Sequence, residues 1–168
     1  ASVTYADNGD YNAVCPADHG LSYLVIDGSL IMLREAIDSM PDLLLGNKEW
    51  NVLPKFFDNK NRIPHHLHPC DDHIREGLVG KPESYHFPLE LNTVKNDFPY
   101  TAVGIDPSIP DEEVLESLSS FFTGDNRLTS LSLHYPLIAG TGWFMPPCTL
   151  HAPGSLLTYE LQVASDVS

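Results

Sequence analysis

Short, largely apolar segments bounded by turn residues run along most of this chain and predict β-strands. The clearest case is residues 84–91, in which every second position is apolar: Tyr85, Phe87, Leu89 and Leu91. Similar segments, separated by turns rich in Gly, Pro, Asn and Asp, are 21–26, 51–58, 62–69, 100–106, 128–137, 143–145 and 155–164. Pro54 makes the segment 51–58 an edge or bulged strand. Many short strands with frequent turns indicate a β-sandwich or jelly roll.

Apolar residues recur at helical spacing in two places. The first stripe ends at Pro41 and consists of Leu30, Leu33, Ala36, Ile37 and Met40. The second lies in residues 110–122, where Pro110 fits the first turn, acidic residues follow it, and Gly124 can end the helix. Its predicted buried positions are Val114, Leu115, Leu118 and Phe122. We therefore predict an all-β fold with two short peripheral helices.

A chain of 168 residues suits one domain with a substantial core. We predict a single domain over 1–168, in which 1–48 form a flank of one strand and one helix and 49–168 form the jelly roll. The chain begins with Ala and stops soon after a strand-like segment, which leaves open that it is a piece of a longer protein.

The net charge of the chain disfavours some classes of binding partner. The chain has 23 acidic against 9 basic side chains, a formal net charge of -14, so nucleic acid and anionic membranes are unfavourable partners. A small anionic substrate is not excluded, because a few local cations can override the overall field. No apolar run approaches the roughly 20 residues that span a bilayer. Three cysteines without CxxC spacing, Cys15, Cys70 and Cys148, predict free thiols and a reduced, cytoplasmic setting.

Candidate metal ligands lie on two of the predicted strands. His66 and His68 have the same parity in an extended strand and so point the same way. Glu83 shares parity with Tyr85 and should face inward, where a carboxylate needs a partner such as a metal ion or Lys81. A further imidazole comes from His151, after a proline-rich turn. Nitrogen and oxygen donors of this kind suit zinc, iron, manganese, cobalt or nickel.

The remaining histidines are weaker candidates. His65 has the opposite parity to His66, so only one of the two can face the pocket. We expect His73 to be solvated in an acidic loop, and His86 and His134 to lie at the surface or behind the ligands. Cys70 and Cys148 lie near the predicted site, where we expect them to act as small buried apolar residues.

These motifs, in this order, resemble one known family. The quoted segments are His66-Leu67-His68-Pro69, Gly80-Lys81-Pro82-Glu83, Thr149-Leu150-His151-Ala152, Glu160 and Ser165-Asp166. The pattern is similar to that of the cupins, and its wording resembles the type I mannose-6-phosphate isomerases, with His66 in place of a Gln. Pro153 replaces a Tyr of the family, and the family continues past Ser-Asp to an Arg. No clear phosphate clamp is visible, the candidates being Lys60, Arg62 and Arg75.

The resemblance implies a cupin jelly roll with one divalent metal ion, zinc first, held by His66, His68, Glu83 and His151. It implies a metal-dependent aldose–ketose isomerase acting on a sugar or sugar phosphate, with Lys81 and Glu160 in proton transfer or substrate handling. Glu160 also shares a strand face with Thr158 and Gln162, which fits a polar pocket. Two alternatives stay open: a cupin oxygenase, and a non-catalytic metal- or sugar-binding domain.

Overall fold

A computed structural model describes residues 21–46, 48–71, 80–95, 97–124 and 127–163. The chain divides into two compact units, Ala1–Asn51 and Val52–Ser168. The single domain over 1–168 stays a prediction. Among the described residues, none of the helices has the length and apolar character that a bilayer crossing requires.

The first unit contains a hairpin followed by two short helices. Strands β1 (Tyr23–Ile26) and β2 (Ser29–Met32) pair antiparallel. The predicted turn pair between them, Asp27-Gly28, has positive φ at both residues, which suits a tight hairpin. The helices are α1 (Leu33–Ser39) and α2 (Pro41–Leu45).

The predicted helical stripe in this unit is only partly correct. Leu30 lies in β2, because the tight turn extends the strand pairing to Met32 and the helix begins one residue later. The first helix ends before Pro41, as predicted, since α1 stops at Ser39; Pro41 also begins α2, where a missing N–H costs nothing. Of the stripe, Ala36 is the residue that is fully buried.

The second unit carries the remaining described strands. These are β3 (Val52–Phe57), β4 (Glu83–His86), β5 (Tyr100–Ile105), β6 (Ser132–Pro136), β7 (Gly142–Met145), β8 (His151–Ala152) and β9 (Thr158–Val163). They form two antiparallel sheets, with strand orders β3-β9-β4-β7 and β6-β5-β8. β3 lies at a sheet edge, as Pro54 predicted. The all-β fold class is confirmed.

Several predicted strands are shorter than their patterns. The strand predicted over 84–91 ends at His86, and a turn follows in which Pro88 O accepts hydrogen bonds from Leu91 and Asn92. Leu89 and Leu91 are exposed despite their parity. Pro88 explains the early end, because it has no N–H to continue the ladder. The strand predicted from Ser155 begins only at Thr158.

The helix predicted over 110–122 is present as α3 (Asp111–Ser119), followed by 3₁₀ turns at Phe121–Thr123 and Leu128–Leu131. Pro110 lies at the N-cap position, directly before the first turn in which it was predicted, and acidic residues fill that turn, as expected. The predicted buried stripe is wrong, since Leu115, Leu118 and Phe122 are all exposed. The residue of α3 that is buried is Ser117.

The core of the second unit lies beside the inward face of β4. Its buried members are Tyr85, Phe87, Leu137, Met145 and Leu156. Tyr85 and Phe87 are the inward positions that the alternation predicted. The phenol ring of Tyr85 meets the Phe57 ring edge-on, with centroids 6.2 Å apart. Glu83 lies on the same face of β4, so its strand is held in place by this packed apolar core.

Neighbouring residues of β7 give a direct test of this core. Met145 is 2% exposed and Phe144 is 63% exposed, because successive side chains of a strand point to opposite faces. We expect Met145→Ala to lower the free energy of unfolding by about 2–5 kcal/mol, and Phe144→Ala by less than about 1 kcal/mol. Urea unfolding followed by circular dichroism measures both. Equal losses would contradict the assigned register of β7.

Candidate metal centre

Four side chains from three separate segments meet at one place. His66, His68, Glu83 and His151 each offer a ligand atom, and these atoms all lie within 4.8 Å of one another. Glu83 is 4% exposed and His151 is 1% exposed. The structure therefore brings together the whole set that the sequence singled out, and this group can hold a metal ion.

The backbone explains how two of these segments come into register. His66 and His151 form an antiparallel bridge, with each backbone N–H donating to the other residue's carbonyl at 2.9 Å. Ile63 N–H donates to Pro153 O at 2.9 Å, further along the same pair of segments. The strand predicted over 62–69 exists only as this bridge, because Pro64 and Pro69 cannot donate to a ladder.

The imidazole rings are oriented by backbone carbonyls. Nδ1 of His66 lies 2.7 Å from Pro64 O, and Nδ1 of His151 lies 2.7 Å from Thr149 O. A carbonyl can only accept, so Nδ1 of each ring carries a hydrogen, and the neutral ring then presents the lone pair of Nε2. Carbonyls that accept from the outer nitrogen in this way orient histidine ligands in metal sites. Burial lowers the pKa of His66, which favours the neutral form that binds metals.

Glu83 is the centre of the cluster. Its Oε1 lies 3.1 Å from His68 Nε2 and 3.2 Å from Lys81 Nζ, and its Oε2 lies 3.3 Å from His151 Nε2 and accepts a hydrogen bond from the Tyr85 hydroxyl. Burial raises the pKa of Glu83, but hydrogen bonds from His151 and His68, when a proton is on their Nε2 atoms, and from Tyr85 outweigh it and hold this pKa well below its usual range. The expectation that buried Glu83 has a charged partner is confirmed.

The contact between His151 and Glu83 is favourable only if a proton or a metal ion lies between the two side chains. If Nδ1 of His151 donates to Thr149 O, its Nε2 presents a lone pair to a carboxylate oxygen 3.3 Å away. Two lone pairs at this separation repel unless a proton or a metal ion lies between them. The donor set, three imidazoles and one carboxylate, is the mixed nitrogen and oxygen kind that divalent transition metals bind.

A second charged group lies on β9 beside the cluster. Lys55 Nζ is 3.2 Å from Glu160 Oε2 and 3.0 Å from Gln162 Oε1. Glu160 is 3% exposed, and Thr158 and Gln162 are buried with it. The inward polar face predicted for this strand is therefore confirmed. Burial and the nearby charge of Glu83 raise the pKa of Glu160 to about 7, against the opposing effect of Lys55.

The sequence patterns did not identify Lys55 as a site residue. It lies opposite Glu160 in the β3–β9 register, and it has the inward parity of Leu53 and Phe57. An inward lysine in an apolar edge strand is the signal that could have found it, because such a cation needs an acidic partner. The predicted phosphate candidates Lys60 and Arg62 are exposed, and Arg75 and Ser165-Asp166 lie outside the described residues.

Solved structures share this architecture. A provisionally assigned mannosephosphate isomerase from Archaeoglobus fulgidus matches 88% of the chain with a TM-score of 0.67 and 18% identity. The mannose 6-phosphate isomerase of Bacillus subtilis matches 84% with a TM-score of 0.60 and 22% identity. A variant of the phosphomannose isomerase from Salmonella typhimurium matches 86%, with a TM-score of 0.60 and 14% identity. The chain has the cupin fold of these isomerases.

The extent of the similarity is limited. The chain spans only 48%, 44% and 57% of these three structures, about half their length. No family model and no curated protein sequence matches the chain. The resemblance that these motifs predicted is thus confirmed for the fold, while activity and substrate belong to the proposal below.

The other histidines lie away from the cluster where they are described. His65 turns its Nε2 to Ser132 Oγ at 3.4 Å, and burial and the neighbouring His151 and His66 lower its pKa to about 4. Its opposite parity to His66 was correctly predicted. His86 and His134 are exposed, as expected, and His73 lies outside the described residues.

The cysteine prediction is wrong for two of the three residues. Cys70 and Cys148 form a disulfide, with Cα atoms 5.3 Å apart. The reason is the pairing of their segments, since Cys148 N–H donates to His68 O at 2.6 Å and so aligns the two cysteines. The bond joins the segment of His66 and His68 to the segment of His151. Cys15 lies outside the described residues.

We expect this disulfide to stabilise the fold. It closes a loop with a sequence separation of 78, so replacing both cysteines by serine should lower the free energy of unfolding by about 2–4 kcal/mol. Chemical denaturation with and without a reductant measures the loss. The double variant should be insensitive to the reductant, whereas a reductant effect of equal size in both proteins would contradict the assignment.

Proposed function

We propose that His66, His68, Glu83 and His151 bind one divalent metal ion, with zinc as the first choice and iron, manganese, cobalt or nickel as alternatives. The proposal is supported by the common meeting point of their donor atoms and by the backbone carbonyls that orient two of the rings. Zinc is favoured because it accepts imidazole and carboxylate ligands together without a strict geometric preference.

We further propose that this centre serves an aldose–ketose isomerase acting on a sugar or sugar phosphate. The observation that carries the proposal is the buried carboxyl of Glu160, which shares one polar site with the four ligands and two lysines. Isomerisation moves a proton between adjacent carbons, so it needs a positioned group that takes up and returns a proton. Glu160 is that group in this proposal, and Lys55 holds its Oε2.

The lysines and the metal ion address the charge that develops on the substrate oxygens. A bound divalent metal supplies electrophilic stabilisation of that charge. Lys81 lies 3.2 Å from Glu83 Oε1 and is only slightly exposed, so its ammonium group faces the site and does not extend into solvent. An ammonium so placed can donate to a substrate hydroxyl or oxyanion. Lys81 and Glu160 are thus the residues proposed for substrate handling and proton transfer.

The test couples elemental analysis to activity. Purified protein is analysed for bound metals and assayed on a panel of aldoses and aldose phosphates, before and after chelation. The proposal is supported if the protein holds about one metal ion per chain, if chelation abolishes isomerisation, and if adding back a single kind of metal ion restores it. Iron-dependent oxygen consumption without isomerisation would favour a cupin oxygenase, and a sugar bound but returned unchanged would favour a binding domain. A chain that holds no metal would overturn the metal centre itself.

The predicted cytoplasmic setting stays a prediction. The cysteine argument for it is weakened, because Cys70 and Cys148 are paired and structural disulfides persist mainly in oxidising compartments. The absence of nucleic acid and membrane partners likewise stays an expectation from the acidic charge.

A further inference from the structure

We propose that Tyr85 is a positioning residue of the metal centre, whose hydroxyl fixes the carboxylate of Glu83 in the orientation that a metal ion requires. The inference rests on the metal centre proposed above and deepens it. Tyr85 was predicted only as a core residue, and nothing in its sequence pattern distinguishes it from Phe87. Its hydroxyl nevertheless donates a hydrogen bond to Glu83 Oε2, in the interior of the protein.

The geometry follows from the strand. Glu83 and Tyr85 are two residues apart in β4, so both side chains lie on the same inward face. The Tyr85 ring is held in the core by Phe57, Phe87 and their neighbours. A ring that cannot move presents its hydroxyl from a fixed point, and the hydrogen bond transmits that position to the carboxylate. A phenylalanine would fill the core equally well, which separates the role of the hydroxyl from that of the ring.

The contacts of Glu83 divide into two classes. His68 and His151 contact it through Nε2, the nitrogen that would bind a metal ion and then could no longer contact the carboxylate as a donor. Among the described residues, Lys81 on Oε1 and Tyr85 on Oε2 would remain as donors, together with the Glu160 carboxyl when it is protonated. One donor on each oxygen leaves the carboxylate little rotational freedom. Such outer hydrogen bonds orient ligands in metal sites.

The experiment compares Tyr85→Phe with the wild-type protein and with Tyr159→Phe. Tyr159 lies on the adjacent β9, opposite His86 in the register, and has the outward parity that contrasts with Tyr85. Affinities for Zn²⁺ and Co²⁺ are measured by competition with a chelator of known affinity, and the visible spectrum of the Co²⁺ form is recorded. Near-ultraviolet circular dichroism and urea unfolding of the metal-free proteins report whether the fold is kept.

We expect Tyr85→Phe to weaken metal binding by about 10- to 100-fold and to alter the Co²⁺ spectrum. Tyr159→Phe should match the wild-type protein in both measurements. Wild-type affinity and spectrum in Tyr85→Phe would overturn the positioning role while leaving the metal centre intact. A purely structural role would overturn it as well. That role would show as a weaker metal affinity with an unchanged Co²⁺ spectrum, accompanied by a loss in the unfolding free energy of the metal-free protein as large as the loss in metal-binding free energy. A wild-type protein that binds neither metal would overturn both proposals.

Discussion

Replacing His151 by alanine is expected to abolish stoichiometric metal binding and the thermal stabilisation that metal confers. His151 is 1% exposed, its Nε2 lies 3.3 Å from Glu83 Oε2, and its backbone bridges to His66. A ligand at 100 times its dissociation constant stabilises the native state by about 2.7 kcal/mol. For a protein of this size, that corresponds to a rise in melting temperature of roughly 5–10 °C. The variant should lose this entire increment.

The measurement is the melting temperature with excess Zn²⁺ and with chelator, together with the metal content after desalting. Because His151 is buried, alanine will also lower the metal-free melting temperature, so the informative quantity is the difference between the two conditions. His66→Ala, at a less buried ligand, gives the same test with a smaller cavity. His86→Ala is the matched control, since His86 directly follows the inward Tyr85 in β4 and is therefore exposed on the opposite face. A full metal-dependent rise in both ligand variants would refute the assignment.

Most of the cluster of proposed ligands could be predicted because strand parity is a local property. Two-residue spacing places His66 with His68, and Glu83 with Tyr85, whatever the rest of the fold does. Parity survives even where the ladder does not, since His66 and His68 both reach the cluster although the segment 62–69 forms a single bridge to His151. The inward face of β9, with Glu160, could be predicted for the same reason.

Features that depend on distant partners could not be predicted in this way. Lys55 reaches Glu160 only because β3 and β9 pair across more than one hundred residues. The Cys70–Cys148 bond likewise needs the pairing of the segments around His68 and His151, which no cysteine spacing reveals. For the same reason, a pattern could not show that the apolar stripe of α3 is exposed, because burial depends on which element covers it.

Local patterns also failed where two structures compete for the same residues. Leu30 fits a helical stripe with Leu33, and it equally fits a strand that follows the Asp27-Gly28 turn. The hairpin prevails because a tight turn with positive φ directs the chain back along β1 and forms ladder hydrogen bonds at once. Pro88 decides the opposite case, ending β4 although the alternation continues to Leu91.

Replacing Glu160 by glutamine is expected to lower the turnover number for isomerisation by roughly 100- to 10,000-fold, the usual range for loss of a positioned acid or base. Glutamine keeps the volume of the side chain, and its carbonyl oxygen can still accept a hydrogen bond from Lys55, so the fold and the Lys55 contact should persist. It cannot exchange a proton at neutral pH. Metal content should stay at the wild-type value, because Glu160 is not one of the four proposed ligands.

The measurement uses whichever sugar in the aldose panel the wild-type protein converts, with proton exchange into the substrate followed by NMR. Glu90→Gln is the matched control, the same chemical change at an exposed carboxylate in the turn after β4. Loss of exchange and turnover in Glu160→Gln, with metal and melting temperature kept, assigns the proton transfer to this carboxyl. Turnover within a few-fold of the wild-type value would exclude Glu160 from that step. Lost turnover together with lost metal would instead show that Glu160 supports the metal centre, because its buried carboxyl lies close enough to Glu83 for their charges to interact.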